Sequence, residues 1–291
     1  MKHNLNVFFS PAHYSPRFCP VPQVVTIHDL SYFYYPDEFL KKDLYKLRNW
    51  TRYSIEKAHK IIAVSKATKK DVMKFYNISD DKIEVIYNGY EKQAQSSKLK
   101  AQNYNLKLKT IKPPKYILYV GTLQPRKNIT ILIKAFKLFK RENEDFKLII
   151  TGKKGWLFDQ IFQQVRDLRL EKEVIFTDYV SDDELTYLYR NAFCFVLPSL
   201  YEGFGIPILE AMSFACPVIS SFTSSLPEIG GEACLYFDTK NETDLLDKLN
   251  LLKQNTDLRN ELIKKCKERI KQFSWQKCAE QTLTIIESVA V

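Results

Sequence analysis

Glu202 and Glu210 stand eight residues apart in the stretch PSLYEGFGIPILEAMSF, residues 198–214. Between them lie Gly203, Gly205 and Pro207. Glycines permit loop conformations that side chains forbid and let a ligand approach bare backbone. Proline suits a first helical turn, where its missing N–H costs nothing. The stretch therefore reads as strand, glycine loop, helix, with backbone N–H groups at the positive end of a helix dipole, a place for an anion. Glu210 is expected in the first turn, where it can accept hydrogen bonds from ligand hydroxyls, and Glu202 at the opposite rim. An anion at one end and hydroxyls at the other describe a nucleotide sugar. A pair of solvated or capping glutamates is the plainer reading of this stretch alone.

A second cluster is Gly121 to Asn128, GTLQPRKN, between an expected strand and an expected helix. Arg126 offers a planar fork to phosphate oxygens and Lys127 a compact charge. Together they can neutralise a departing diphosphate, and Lys153, after the next strand, adds a cation. G-x-x-x-x-G-K-[ST] and G-x-G-x-x-G are both absent, which argues against a P-loop and against a dinucleotide oxidoreductase. A third candidate is His28, at the end of the β-branched run Val24 to Ile27. Ligands of open parallel sheets bind at the carboxyl ends of strands. His28 either serves such a site or packs the strand end.

Strands to position these groups are expected at 6–9, 24–27, 60–64, 83–87, 116–120, 146–151, 174–177, 193–197, 217–220 and 233–237. Helices fill most gaps. One spans Pro36 to His59, with Leu40, Leu44, Leu47, Ile55 and Ala58 inward and Lys41, Lys42, Arg48 and Arg52 outward. Ser65 reads as the N-cap of a helix to Tyr76. Asn128 reads as the cap of the next, and Ser181–Glu184 as a capping box. Ser274 caps a last helix with the stripe Trp275, Cys278, Leu283, Ile286 and Val289. The alternation requires parallel strands, and over 116–254 a doubly wound sheet. Residues 91–114, rich in lysine and glutamine, read as a connection.

The chain of 291 residues is long enough for two domains, and 45% hydrophobic with 27% charged residues is ordinary for a globular protein. A net charge of +10 suits anionic substrates or an anionic membrane surface. No nucleic-acid module is recognisable, so no nucleic-acid partner is expected. The six cysteines show no C-x-x-C and read as core residues, and no metal is expected. With no signal-peptide layout or spanning run, the expected compartment is the cytoplasm, with peripheral contact at the inner face of a membrane.

GTLQPRKN, Gly152-Lys153, SLYEGFGIPILEAM and the PVISS strand resemble the donor domain of retaining glycosyltransferases of family 4. TIHDL, AVSKATKKDV and the Asn88-Gly89 turn resemble the second half of that family's acceptor domain. The resemblance implies an α/β fold of GT-B type: two Rossmann-like domains facing a cleft. The first would be a shortened acceptor-side domain over 1–112, with 91–112 as linker. The second would be a donor domain over 113–273, followed by a helix over 274–291 that crosses back to the first. It implies transfer of a sugar, mannose among the candidates, from a nucleotide diphosphate to a glycan or lipid-linked acceptor, with no cofactor or metal. His28, Arg126, Lys127 and Glu202 would be catalytic. Gly121, Lys153, Val180, Gly203, Phe204, Gly205, Ile206, Leu209 and Glu210 would bind donor, with Glu210 on the ribose and Val180 near the base. Only 23 residues precede Val24, fewer than the family's pattern. The alternative expectation is a non-catalytic or truncated nucleotide-sugar-binding protein without a complete acceptor site.

Overall fold

The computed structural model describes residues 5–90 and 115–290. The expected connection at 91–114 lies outside them. The described chain forms two compact units. The first comprises residues 5–90, Tyr201–Phe204 and residues 273–290; the second comprises residues 115–200 and 205–272.

The first unit holds four parallel strands in the order β1-β2-β3-β4: Phe8–Ser10, Gln23–Ile27, Lys60–Ala63 and Ile83–Val85. Every residue of β2 is buried, as a parallel sheet covered on both faces demands. One face packs Val25, Ile27, Ile61 and Ala63 against Ile55, Val72 and Tyr76. The other packs Val24, Ile62 and Ile86 against Cys278, Ile285, Ile286 and Val289 of the helix Trp275–Val289. Leu283, expected in that stripe, is 53% exposed; Ile285 takes the inward place. Ser274 caps this helix through Lys277 N.

The long helix expected from Pro36 is broken into a 3₁₀ turn Pro36–Glu38 and a helix Lys41–Lys57, and a short helix Ser31–Tyr34 precedes them. Pro36 sits at the start of the turn, where a ring without an N–H is tolerated. Leu40 precedes the long helix in extended conformation and is 66% exposed, so it leaves the expected inward stripe. Lys41 and Lys42 are exposed as expected. Arg52 is exposed as well, 5.3 Å from the Tyr76 ring, whereas Arg48 is half-buried over the Phe33 ring at 5.2 Å.

The second unit is a six-stranded parallel sheet in the order β10-β9-β8-β5-β6-β7. The strands are β5 Tyr116–Val120, β6 Lys147–Thr151, β7 Val174–Asp178, β8 Cys194–Leu197, β9 Val218–Ser221 and β10 Cys234–Phe237. Taken in chain order from β5, this is the doubly wound Rossmann order. The chain leaves β5 toward one edge and β8 toward the other, so the order reverses between these neighbours. A crevice opens at such a point outside the strands' carboxyl ends. The helix Ile129–Phe139 buries Ile129, Leu132, Ile133, Phe136 and Phe139, the set its period predicts. The capping box at Ser181 forms with Glu184. Asn128 precedes its helix but does not cap it: it is left-handed, and its side chain donates to the Thr239 carbonyl. All six cysteines are free; four are buried, and Cys19 and Cys278 are half-buried. Among the described residues no helix is long and apolar enough to cross a membrane.

Candidate active site

In the second unit the loops after β5 and β8 emerge at the strand-order reversal. They are tied by their backbones, since Leu200 N donates to the Arg126 carbonyl at 2.8 Å. Arg126 and Lys127 lie in a 3₁₀ turn, Pro125–Lys127. Arg126 is 9% exposed and Lys127 half-buried. The loop after β6 lies alongside: Gly121 N donates to the Thr151 carbonyl at 3.0 Å and Leu123 N to the Lys153 carbonyl at 2.9 Å. A Cβ at Gly152 would lie 2.0 Å from the Gly121 carbonyl oxygen, so these two loops touch at backbone distance. Gly121, Arg126 and Lys127 thus share one end of the sheet with Lys153. Lys153 is exposed, with Nζ 5.2 Å from the Tyr179 ring. Val180, the next residue in sequence after Tyr179, is buried.

Gly205 precedes the helix Ile206–Ser213 at φ 104°, a conformation that strains any side chain. Pro207 occupies its first positions, as its chemistry predicts. Ile206 is half-buried and Leu209 fully buried, its side chain enclosed. Glu210 lies in the second helical turn, not the first, because the helix begins at Ile206 rather than further along. Its carboxylate accepts from the Tyr189 hydroxyl at 2.9 Å. Loss of solvation holds its pKa above the ordinary 4.5, against the lowering effect of that hydrogen bond. The β8 loop is fixed from the far side, where Ser221 and Thr223 hydroxyls donate to the Ser199 carbonyl at 2.6 and 3.0 Å.

His28, Glu202, Gly203 and Phe204 belong to the first unit. The Gly203 carbonyl accepts from Ser65 Oγ at 2.7 Å and Thr68 Oγ1 at 3.2 Å, and Thr68 Oγ1 also reaches the His28 carbonyl at 3.4 Å. Ser65 is the N-cap of the helix Lys66–Tyr76. A Cβ at Gly203 would lie 1.9 Å from the His28 carbonyl oxygen, so only glycine fits. Three separate sequence stretches, TIHDL, AVSKAT and YEGFG, therefore converge on one backbone junction. Phe204 is buried, 6.1 Å from the Tyr87 ring, and Glu202 is half-buried.

His28 is exposed at the carboxyl end of β2. Its Nε2 is 2.8 Å from the Pro11 carbonyl, which can only accept, so Nε2 carries the proton. Sequence reasoning missed two groups here. His13 stacks on His28 with ring centroids 6.0 Å apart and planes at 17°, and its Nε2 accepts from His28 N at 3.3 Å. Burial pushes the His13 pKa down to about 4 despite Asp29 nearby, so its ring is neutral. Tyr201 donates to Asp71 at 2.6 Å and accepts from Leu30 N at 3.3 Å, fixing the start of the Glu202 segment. A histidine two residues after Pro11 and a tyrosine before Glu202 were the only signals, and neither names its partner. No group of three or more His, Cys, Asp or Glu side chains suited to a metal is gathered among the described residues.

These loops and their order are those of a known family. The model for "Glycosyl transferases group 1" matches residues 100–269 and that for "Glycosyltransferase Family 4" residues 3–93. The chain belongs to the family 4 glycosyltransferases. It is 34% identical over 284 residues to O-antigen chain mannosyltransferase B of Escherichia coli, covering 95% of this chain and 73% of that protein. It is 33% identical over 235 residues to O-antigen chain mannosyltransferase RfbU of Salmonella typhimurium, covering 81% of this chain and 62% of that one. Among solved structures it resembles sucrose-phosphate synthase of Thermosynechococcus elongatus (TM-score 0.75, 20% identity, 94% of this chain and 68% of that chain). It also resembles Anabaena Alr3699/HepE in complex with UDP and glucose (TM-score 0.73, 21% identity, 92% and 72%). At that identity the structures speak for the fold, which is GT-B. The family 4 member described here is thus a glycosyltransferase.

Proposed function

We propose that this glycosyltransferase moves mannose from a nucleoside-diphosphate donor to a glycan or lipid-linked acceptor, with retained anomeric configuration. The observation that carries the donor half is the joined loop pair after β5 and β8. It places Arg126 and Lys127 on the loop bonded to the one leading to Glu210. The mannose assignment is drawn from the two O-antigen mannosyltransferases above.

In the reaction, the bond from the anomeric carbon to the diphosphate oxygen breaks. A bond to an acceptor hydroxyl oxygen forms, and the acceptor's proton leaves with the diphosphate. Arg126 and Lys127, with Lys153, neutralise the negative charge that grows on the diphosphate. The amides around Gly205 favour the same anion through the helix dipole. Glu210 accepts from the ribose hydroxyls, and Val180 lies against the base. Glu202 and the backbone of Gly203 and Phe204 bind the transferred sugar, together with His28. With charge supplied by these cations, the reading requires no cofactor or metal. The exposed Lys41 and Lys42 supply peripheral contact with an anionic membrane surface.

The test is incubation of the purified chain with radiolabelled GDP-mannose and lipid-linked oligosaccharide. Transfer or slow donor hydrolysis is expected, with the product anomer assigned by NMR. Absence of both, with no nucleotide sugar raising the melting temperature, refutes the reading.

A further inference from the structure

The loop after β1 folds back onto the helix Lys41–Lys57. Ser15 N donates to Ser54 Oγ at 2.8 Å, and the Tyr53 hydroxyl donates to the Arg17 carbonyl. Between loop and helix lies a cavity of about 640 Å³, within the size range of small-molecule sites. Its walls are the rings of Tyr14, Tyr45, Trp50 and Tyr53, with Arg17 and Asn49 among them. Trp50 is 41% and Tyr45 65% exposed, a large aromatic area left to solvent on one small patch.

The polar groups of the walls decide what fits. Ser15, also in the lining, has a buried hydroxyl oxygen with no hydrogen-bond partner among the described residues. Leaving such a group unmatched is unfavourable, and a ligand hydroxyl can supply the missing hydrogen bond. Asn49 Nδ2 donates to the Tyr45 carbonyl at 2.8 Å, which leaves its Oδ1 to accept. A pyranose ring has an apolar C–H face and a rim of hydroxyls, and it needs flat rings with donors and acceptors around them. An alkyl chain would desolvate these polar groups without replacing their hydrogen bonds.

The cavity adjoins the histidine pair. The His13 ring, stacked on His28, is 6.3 Å from the ring of Tyr14 in the cavity wall. Tyr14 in turn meets Trp50 edge to face at 5.7 Å. An unbroken line of rings runs from His28 to the cavity.

We infer that this cavity is a saccharide subsite that holds a sugar ring of the acceptor, with Trp50 and Tyr45 as the stacking surface and Ser15 and Asn49 bonding hydroxyls. The word acceptor rests on the transferase reading above; saccharide binding does not.

The test uses the full chain labelled with 5-fluorotryptophan, its three ¹⁹F lines assigned by single Trp→Phe variants. Mannotriose is titrated without donor, and GDP binding is measured by calorimetry on the same samples. The expected result is a saturable shift of the Trp50 line alone. Tyr45→Ala and Asn49→Ala should each weaken it about tenfold, the size of one lost stacking or polar contact, with GDP affinity unchanged. No shift of the Trp50 line while GDP binds overturns the subsite and leaves the transferase reading standing. A shift produced by decanol and not by mannotriose overturns it in favour of a lipid chain. A Trp50 line that moves with protein concentration alone overturns it in favour of contact between copies. Mannotriose binding without any nucleotide binding supports the saccharide subsite and overturns its assignment to an acceptor.

Discussion

Removing one oxygen from Tyr201 should loosen the segment that carries Glu202. The hydroxyl donates to Asp71 at 2.6 Å and accepts from Leu30 N at 3.3 Å, and Tyr201 is 5% exposed. Asp71 has a second donor, the Tyr34 hydroxyl at 2.6 Å. Tyr201→Phe keeps the ring against Tyr34, at 5.2 Å and 32°, so packing is conserved and polar bonding is what changes. A hydrogen bond to a charged group is worth about 1.5–3 kcal/mol, and the Leu30 N–H also loses its partner, so a loss of about 2–3 kcal/mol is expected. The assay is urea unfolding in a Trp156→Phe background, where Trp50 and Trp275, both in the first unit, supply the signal. A cycle with Asp71→Asn should give a coupling of about 1–3 kcal/mol. A destabilisation below about 0.5 kcal/mol, the range of an ordinary surface substitution, would show that the tyrosine's bond does not hold the segment.

Gly203→Ala should cost at least about 1–3 kcal/mol, since the new carbon would meet the His28 carbonyl at 1.9 Å; differential scanning calorimetry reads the loss. Glu210→Gln should separate stability from binding. The raised pKa of Glu210 makes a contribution that is fully present below 4.5 and lost as pH rises through the folded value. The variant should therefore melt higher than the parent at pH 8 but not at pH 4, while GDP-mannose binding, read by calorimetry, weakens. Arg126→Ala should lower turnover about 10²–10³-fold in the radiolabel assay, the size of one lost preorganised charge contact. Unaltered turnover would remove Arg126 from the diphosphate.

Much of the framework was legible because its causes are local. The apolar runs at β5 and β8, the Ser65 cap and the Ser181 capping box each depend on neighbours within a few residues. Asn128 failed as a cap because a left-handed backbone, set by the preceding Pro125–Lys127 turn, sends its side chain to Thr239, 111 residues away. Gly203 was legible as a glycine that matters, yet its reason, the His28 carbonyl, lies far off in sequence. Leu40 and Leu283 fit a helical period but miss the core, since period fixes a stripe and not which members the opposite surface reaches. The roles of His13 and Tyr189 could not be assigned locally, because they come from a stacked ring and a distant carboxylate.

The second face of the β1–β4 sheet is covered by the last helix, Trp275–Val289, which also presses its start on Gly89: a Cβ there would lie 2.1 Å from Trp275 N. During synthesis, Val24, Ile62 and Ile86 leave the ribosome long before the residues that shelter them. At about 5–20 residues per second the wait is roughly 10–40 s. Through that interval the nascent sheet offers bare hydrocarbon to whatever meets it, which makes it a natural client for a chaperone. Loss of the helix Trp275–Val289 would make that exposure permanent.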